Sequence, residues 1–290
     1  MSKIIGVIGA GQMGAGIAQV SAQAGYQVLL SDVDLARAQS GKDAIAKGLN
    51  RLVEKEKLTA SARDAALGLI EPVAGSSAFA SAAIVIEAAT EREEIKRAIF
   101  ADVGKILAGD AILASNTSSI PITRLAQSSP DPARFIGVHF FNPVPVMGLI
   151  ELIRGLATSD ATVDAVEGFG QSLGKAIVHA SDAPGFIVNR ILMPMVNEAC
   201  FALGEGVASV RDIDTACQLG LNHPMGPLTL ADFIGLDTCL EICRVLHSGT
   251  GDPKVRPAPL LVKYVEAGWL GRKVKRGFYD YSGPEPVPTR

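Results

Sequence analysis

The start of the chain alternates between short apolar runs and a helical spacing of apolar positions. Ile4–Ile8 is β-branched and almost wholly apolar, which predicts a strand buried on both faces. From residue 13 to residue 24 the apolar positions recur with the period of a helix, and Gly25 marks its end. Residues 27–30 predict a second strand, which leads into Asp32. This order predicts a β-α-β unit.

The same alternation continues along most of the chain, with one interruption. Two helical patterns, residues 35–57 and 59–68, predict a helical hairpin inserted near 35–68. Further strands are predicted at residues 69–73, 84–88, 111–114, 135–139, 149–153 and 175–179. After the turn at 181–185 only helical patterns follow. We therefore expect an α/β fold, with a Rossmann-type doubly wound sheet in residues 1–183 and an all-α domain in 184–290.

A further helix is predicted over residues 91–107. Its expected apolar stripe consists of Ile95, Ile99, Val103 and Leu107. Lys96 lies in the first turn of this helix, which is an unfavourable place for a cation unless an anionic group is near.

Gly9, Gly11 and Gly14 follow the first strand with the spacing G-x-G-x-x-G. Such glycines permit a tight turn, a close backbone approach to a pyrophosphate, and close packing of helix on strand. The helix that begins here also offers its positive N-terminus to the diphosphate. Because Gln12 and Met13 lie in the same turn, we count them with the glycines as cofactor-binding residues. An ordinary glycine-rich turn is the alternative.

Asp32 completes the pattern of a dinucleotide site. It follows the second strand and lies 18 positions after Gly14, near the spacing expected for an acid that binds the adenosine ribose. A carboxylate there repels a 2′-phosphate, so the sequence predicts NAD rather than NADP as the cofactor.

Length, composition, net charge and cysteine spacing narrow the class of protein. The chain has 290 residues, 48% of them hydrophobic, and a net charge of −3, which gives no general attraction to nucleic acid. No apolar run has the length of a membrane span, and the first strand leaves no room for a signal peptide. The cysteines lack disulfide or metal-site spacing, so we expect a cytoplasmic protein without a bound metal. The apolar helices after residue 184 predict a homodimer.

A nicotinamide needs a partner group that takes the proton of the substrate hydroxyl, and histidine suits this role because its pKa lies near neutrality. Among the four histidines, only His139 ends a strand at the expected cofactor edge. Glu151 lies in an apolar strand, where a buried carboxylate needs a partner, and it could orient His139. A core histidine and a structural salt bridge are the alternatives.

Three other polar features have two interpretations each. Residues 115–119 (SNTSS) form either a hydrogen-bonding surface or a helix cap. Asn189 either contacts the substrate or makes an interdomain hydrogen bond. Lys47, Arg51 and Lys55 share one helix face, here called the basic face, which is either solvated or a handle for a phosphorylated substrate.

Long segments of the sequence resemble the 3-hydroxyacyl-CoA dehydrogenase family, and in particular its short bacterial 3-hydroxybutyryl-CoA branch. The segments are VIGAGQMGAGIAQ (7–19), SNTSS (115–119), GVHFFNPVPVMGLIE (137–151), DAPGFIVNR (182–190), DIDTACQLGLNHPMGPLTLAD (212–232) and KRGFYDY (275–281). They cover nearly the whole chain in the family's order. One departure lies at residues 271–278, where the family often has G-K-K-T-G-x-G-F and this chain has GRKVKRGF.

The resemblance implies catalytic roles at matching positions. His139 would be the base in oxidation and the acid in reduction, and Glu151 would orient it. Ser118 and Asn189 would hydrogen-bond the reacting part of the substrate. Asn116 would line the same pocket, and both Asn116 and Ser118 would also belong to the cofactor site.

The resemblance also implies contacts to NAD and CoA. Glu91 and Lys96 would meet the ribose and nicotinamide portion of NAD, and Asn142 would lie on the nicotinamide side. Lys273 would reach the cofactor. Lys55, with Arg51 on the same basic face, would meet the CoA phosphates.

The expected reaction is therefore the NAD-dependent oxidation of an (S)-3-hydroxyacyl-CoA, of short chain, to the 3-oxoacyl-CoA, and its reverse. Two alternatives remain: a dehydrogenase of a free hydroxy or sugar acid on the same fold, and a non-catalytic NAD-binding relative. The first alternative would not need the basic face.

Overall fold

The structure, a computed structural model, describes residues 4–290. The chain divides into two compact units, Met1–Ala183 and Pro184–Arg290. The first is an α/β unit and the second is mainly helical. The predicted fold class, a Rossmann-type sheet followed by an all-α region, is confirmed.

An eight-stranded sheet forms the centre of the first unit. Its strands are β1 Ile4–Ile8, β2 Gln27–Asp32, β3 Ile70–Ala74, β4 Ile84–Glu87, β5 Ile112–Ser115, β6 Phe135–Phe140, β7 Leu149–Arg154 and β8 Ala176–Ser181. Their order in the sheet is β3-β2-β1-β4-β5-β6-β7-β8. Only β6 and β7 pair antiparallel within this sheet, so the carboxyl ends of β1 to β6 share one edge. The central strands are buried on both faces, as their continuous apolar runs predicted.

Helices connect most of these strands. They are α1 Gln12–Gln23, α2 Leu35–Glu54, α3 Ala60–Gly68, α4 Glu93–Val103, α5 Ile122–Ala126 and α6 Asp160–Ser172. Side-chain caps start several of them: Asp34 accepts a hydrogen bond from the amide of Arg37, and Thr59 accepts one from the amide of Ala62. The helices α2 and α3 form the inserted pair between β2 and β3, as predicted.

The buried face of α4 differs from the predicted one. Ile95 was expected in the apolar stripe, but it is 38% exposed. Lys96, Phe100 and Val103 are the buried residues of this helix. Lys96 takes the place of an apolar residue because Glu87 and Glu91 provide carboxylates for its ammonium group.

The second unit contains five helices and a short ribbon. The helices are α7 Val188–Gly204, α8 Val210–Gly220, α9 Pro227–Ile234, α10 Leu236–Thr250 and α11 Pro259–Glu266, and the ribbon pairs β9 Tyr279–Asp280 with β10 Val287–Pro288. The sequence did not predict α11 or the ribbon. Across residues 4–290, no helix is both long enough and apolar enough to cross a membrane.

A buried aspartate organises the C-terminal segment. Asp232 accepts hydrogen bonds from the amides of Phe278 and Tyr279, both at 2.9 Å. Gly277 lies directly against this carboxylate, and an added Cβ atom there would overlap it. The turn at 271–281 is therefore built around a charge inside the helical unit.

Candidate active site

Most of the predicted site residues in the first unit meet at one edge of the sheet. The glycine turn follows β1, Asp32 ends β2, Glu91 follows β4, and residues 116–119 follow β5. His139 is the next-to-last residue of β6. Because these strands are parallel neighbours, their carboxyl ends create a crevice that suits a ligand.

The three glycines differ in what surrounds them. Gly9 has a φ of +98°, and a Cβ atom there would lie 2.6 Å from the Cα of Ala89. A Cβ atom at Gly14 would overlap the carbonyl oxygen of Gly9. A Cβ atom at Gly11 would meet no heavy atom within 4 Å. The protein itself therefore requires glycine at positions 9 and 14, whereas Gly11 borders open space.

Asp32 and the start of α1 shape the same turn. The Asp32 carboxylate accepts hydrogen bonds from the amides of Ala10 and Val33, each at 2.7 Å. Gly11 is the N-cap of α1 and provides no side chain to cap the first amides of the helix. Gln12, exposed, and Met13, half-buried, form the first turn. Uncapped amides, an open glycine and a nearby carboxylate fit a dinucleotide.

His139 and Glu151 form a buried pair. They face each other in the register of β6 and β7, and Nδ1 of His139 lies 2.7 Å from Oε2 of Glu151. Glu151 is fully buried. The ring of Phe141 packs 4.6 Å from the imidazole, measured between centroids. A carboxylate at Nδ1 favours the imidazole tautomer that carries its proton there.

The Glu91 carboxylate accepts several hydrogen bonds from the loop at 117–119. Its Oε1 accepts hydrogen bonds from the hydroxyl of Thr117 (2.7 Å), the amide and hydroxyl of Ser118 (2.9 and 3.1 Å) and the hydroxyl of Ser119 (2.9 Å). Burial by itself raises the pKa of Glu91, but the charge of Lys96 and these hydrogen bonds outweigh it, so the pKa lies below its usual value. Thr117 and Ser119 belong to the segment 115–119 that the sequence analysis interpreted as a hydrogen-bonding surface or a helix cap, but neither was predicted to be a site residue.

The sequence analysis also missed Glu87. This residue ends β4, is fully buried, and lies with Oε2 2.6 Å from Nζ of Lys96. A signal for it was present, because Glu87 stands in an apolar strand in the same way as Glu151 does.

Two predicted asparagines, Asn116 and Asn142, follow β5 and β6. Oδ1 of Asn116 accepts a hydrogen bond from the amide of Phe140 at 2.9 Å, which ties the two strand ends together. Asn142 is exposed in the loop after β6. Lys175, which the sequence analysis did not assign, holds that loop by donating to the carbonyl oxygens of Val144 and Met147, each at 2.7 Å.

The remaining predicted residues belong to the second unit and to the basic face of α2. In the second unit, Asn189 is half-buried in the first turn of α7, and Nζ of Lys273 lies 2.6 Å from both carboxylate oxygens of Asp237. On α2 and just after it, the basic face is exposed. Within residues 4–290, its three side chains make no ion pair and no hydrogen bond, either to the crevice or to any other group.

The fold and this edge are those of an NAD-dependent dehydrogenase. Residues 4–183 match the profile described as 3-hydroxyacyl-CoA dehydrogenase, NAD binding domain, and residues 185–281 match that of the C-terminal domain. The chain belongs to the 3-hydroxyacyl-CoA dehydrogenase family, as the resemblance of its motifs implied.

Three relatives illustrate the similarity. The chain is 57% identical over 288 residues to 3-hydroxybutyryl-CoA dehydrogenase of Bradyrhizobium diazoefficiens, covering 99% of this chain and 98% of that one. It is 45% identical to 3-hydroxybutyryl-CoA dehydrogenase of Mycobacterium tuberculosis, covering 96% and 98%. The crystal structure of (S)-3-hydroxybutyryl-CoA dehydrogenase from Ralstonia eutropha superposes with a TM-score of 0.95 at 50% identity, covering 98% and 100%.

Proposed function

We propose that the protein oxidises short (S)-3-hydroxyacyl-CoA thioesters, with 3-hydroxybutyryl-CoA as the preferred substrate, and catalyses the reverse reduction. The observation that carries this proposal is the buried His139–Glu151 pair at the crevice edge. The 57% identity to a 3-hydroxybutyryl-CoA dehydrogenase supports the choice of substrate. NAD⁺, when bound, accepts the hydride from C3 of the substrate.

His139 is the acid–base group of this proposal. With Glu151 at Nδ1, the imidazole accepts the hydroxyl proton at Nε2 during oxidation and returns it during reduction. Glu151 offsets the positive charge that the ring gains. Because both side chains are buried, this offset contributes several kcal/mol.

Other residues orient the reactants. The glycine turn, with Gln12 and Met13, would hold the pyrophosphate, and Asp32 would bind the adenosine ribose. Glu91, Lys96 and Asn142 would border the ribose and nicotinamide half, and Lys273 would reach the cofactor after leaving Asp237. Ser118 and Asn189 would hydrogen-bond the reacting part of the substrate, and Asn116 would line the same pocket. The exposure of Asn142 and the exposed share of Glu91 support such contacts.

The basic face supports an acyl-CoA thioester as the substrate. Lys47, Arg51 and Lys55 are exposed and four residues apart, so adjacent side chains rise about 6 Å along the helix axis. Because none has an ion-pair partner among the described residues, their charge is available to the CoA phosphates. Arg51 and Lys55 also lie at the helix C-terminus, where cations are favoured in any case.

NADH consumption with acetoacetyl-CoA and with free acetoacetate tests the substrate class. The proposal predicts a kcat/KM for the thioester at least about 10³-fold higher, because only the thioester uses the CoA contacts. Equal values would support the free-acid alternative. A ladder of 3-oxoacyl-CoA chain lengths should show its highest kcat/KM at four carbons.

A truncated thioester tests the basic face. Changing Lys47, Arg51 and Lys55 together to Met should raise KM for acetoacetyl-CoA about tenfold or more, most strongly at low salt. The same variant should treat the N-acetylcysteamine thioester, which lacks the phosphates, as the unchanged protein does. Lys105→Met provides a matched exposed lysine away from this face. An equal loss with both thioesters would contradict the assignment.

We infer that the protein is a homodimer through its second unit. Leu219 and Leu221 are 82% and 61% exposed, and Phe233 of the same unit is also exposed. Exposed apolar side chains of this size are typical of a subunit interface. Light scattering after gel filtration should give twice the chain mass, and Leu219→Asp should shift it toward the monomer. A wild-type monomer at micromolar concentration would contradict the inference.

We also infer a reducing, cytoplasmic environment. All four cysteines are free thiols, and Cys200, Cys239 and Cys243 are buried. Burial raises the pKa of Cys243 to about 11, which keeps this thiol protonated and unreactive. Thiol titration of the unfolded purified protein should therefore detect four reduced groups.

A further inference from the structure

A buried ion pair lies beneath the crevice. Glu87 is fully buried, and its Oε2 lies 2.6 Å from Nζ of Lys96, whose side chain is 2% exposed. The same oxygen accepts a hydrogen bond from the hydroxyl of Ser115 at 3.1 Å, and Oε1 accepts one from the amide of Ala89 at 2.8 Å. The Glu87 carboxylate is therefore held by three elements of the protein and does not face solvent.

The position of Glu87 in the sheet connects the two halves of the crevice. In the parallel register it stands beside Ile8 of β1 on one side and Ser115 of β5 on the other. The glycine turn follows Ile8, and the loop at 116–119 follows Ser115. Of these two strands, the Glu87 carboxylate bonds only to β5, through the hydroxyl of Ser115, so a change at Glu87 acts on the side of the crevice formed by the loop at 116–119.

Stability alone is a weak reason for this ion pair. Removing a carboxylate and an ammonium from water is costly, and apolar side chains of similar volume commonly hold a core equally well. The first turn of α4 is, moreover, an unfavourable place for a cation. We therefore look for a functional role of the Glu87–Lys96 pair, and the groups around Lys96 indicate one.

Lys96 connects the buried carboxylate to one that reaches the surface. Its Nζ lies 3.6 Å from Oε2 of Glu91, whose side chain is 42% exposed. The other oxygen of Glu91 is occupied by the hydroxyls and amide of residues 117–119. The two carboxylates and one ammonium leave the group with a net negative charge, and Glu91 is the member that presents it to the crevice.

We propose that Glu87 is a positioning residue for the nicotinamide half of the cofactor site. It anchors the Lys96 ammonium, which holds Glu91 and, through Glu91, the hydroxyl loop that carries Ser118. Glu87 itself does not touch the cofactor, because it is fully buried and bonded to protein groups. The inference rests on the proposed contact between Glu91 and NAD, and it is independent of which substrate is reduced.

The test compares two ligands that share the adenosine half. Glu87→Gln keeps the size of the side chain but removes its charge. The dissociation constant for NADH, measured by fluorescence without any thioester, should rise about tenfold. The constant for ADP, measured by calorimetry, should stay within about twofold, since Asp32 and the glycine turn remain in place. Unchanged NADH affinity, or an equal loss for both ligands, would overturn the proposal.

A double variant separates positioning from folding. Glu87→Gln combined with Lys96→Met removes both buried charges, so the unfolding midpoint should recover even if the single variant folds poorly. Its NADH dissociation constant should equal that of Lys96→Met alone, because Glu87 acts on Glu91 only through the Lys96 ammonium, and a further loss beyond that of Lys96→Met would contradict the proposal. Recovery of both the midpoint and the NADH affinity would show that Glu87 has only a structural role.

A matched control lies on the same helix. Glu93 pairs with Arg124 at 2.8 Å near the surface, so Glu93→Gln removes a charge from α4 without altering the buried group. NADH affinity should be unchanged in this variant, and a comparable loss would contradict the proposal. Because every readout is a binding or unfolding measurement, a failure to reduce acetoacetyl-CoA would contradict the proposed substrate and leave this inference standing.

Discussion

Nδ1 of His139 lies 2.7 Å from Oε2 of Glu151, and the two residues are direct cross-strand neighbours in the antiparallel pair β6–β7. Their backbone positions are therefore set by the hydrogen-bond ladder of the sheet and not by a loop. Because β7 runs opposite to β6, a residue near its middle meets the histidine near the end of β6. A rigid carboxylate at Nδ1 is the arrangement that an acid–base imidazole needs.

Alanine at Gly11 and alanine at Gly14 should have opposite effects: the first should weaken NADH binding, and the second should lower stability. Gly11→Ala should fold with normal stability, because its φ is −70° and the added Cβ atom meets no protein atom within 4 Å. It should nevertheless weaken NADH binding about tenfold or more, since the methyl group enters the space assigned to the pyrophosphate. Gly14→Ala should instead cost about 2 kcal/mol of unfolding free energy, because it overlaps the Gly9 carbonyl.

Urea unfolding and NADH titration of both variants check this prediction. Normal NADH binding in Gly11→Ala would contradict the assignment of the pyrophosphate to this turn.

Asp32 should control the choice between NAD and NADP. Asp32→Ala removes the charge and also the acceptor for the amide of Ala10, whereas Asp32→Asn keeps an acceptor. Both variants should narrow the ratio of kcat/KM for NAD⁺ over NADP⁺ by about tenfold or more, because the repulsion of a 2′-phosphate is lost. Only Asp32→Ala should also lower the melting temperature. An unchanged cofactor ratio in both variants would count against the ribose contact.

Glu91 should contribute a stability that depends on pH. Burial raises its pKa, but the charge of Lys96 and the hydrogen bonds of residues 117–119 bring it below the ordinary value of 4.5. Since the pKa of the folded state is the lower one, the contribution is complete above about pH 4.5 and is lost as the pH falls through the folded pKa.

The unfolding free energies of wild type and Glu91→Gln, measured in urea, should therefore differ at pH 7, and the difference should shrink as the pH falls below about 4.5. A constant difference across this range would indicate that the charge of Glu91 is not involved.

Lys275 occupies a backbone position that favours glycine. Its φ is +60°, and the family tail often has glycine at this place in the segment 271–278. Lys275→Gly should raise the unfolding free energy by about 0.5 to 1 kcal/mol through relief of the left-handed backbone. Lys263→Gly, at an exposed helical position of α11, should lower it by about 1 kcal/mol. Thermal unfolding measures both changes, and a lower midpoint for Lys275→Gly would contradict the strain.

Patterns with a local physical cause were predicted correctly from the sequence. The buried strands appear as β-branched apolar runs because both of their faces are covered, and the glycine turn has a spacing set by backbone geometry. The pairing of His139 with Glu151 was predicted from chemistry, because a carboxylate in an apolar strand needs a partner. The register that places the two residues opposite each other, however, depends on β7 running antiparallel to β6, which no local pattern indicates.

Features that depend on contacts between elements were missed. The stripe predicted for α4 contained Ile95, yet Lys96 is the buried residue, because carboxylates from β4 and its loop outweigh the apolar period. Glu87 and Lys96 are nine residues apart on different elements, so no helical or strand spacing joins them. The ribbon of β9 and β10 has two residues in each strand, which is too short for any periodicity to be visible.

The central claim concerns the carboxylate behind His139, and Glu151→Gln tests it most directly. The control is Glu167→Gln, because Glu167 pairs with His179 at 3.0 Å in a second, exposed His–Glu contact of the same unit. With acetoacetyl-CoA and NADH, Glu151→Gln should lower kcat by about 10²- to 10⁴-fold while the NADH dissociation constant stays nearly the same. Glu167→Gln should leave both unchanged. A kcat for Glu151→Gln within about twofold of wild type would contradict the account.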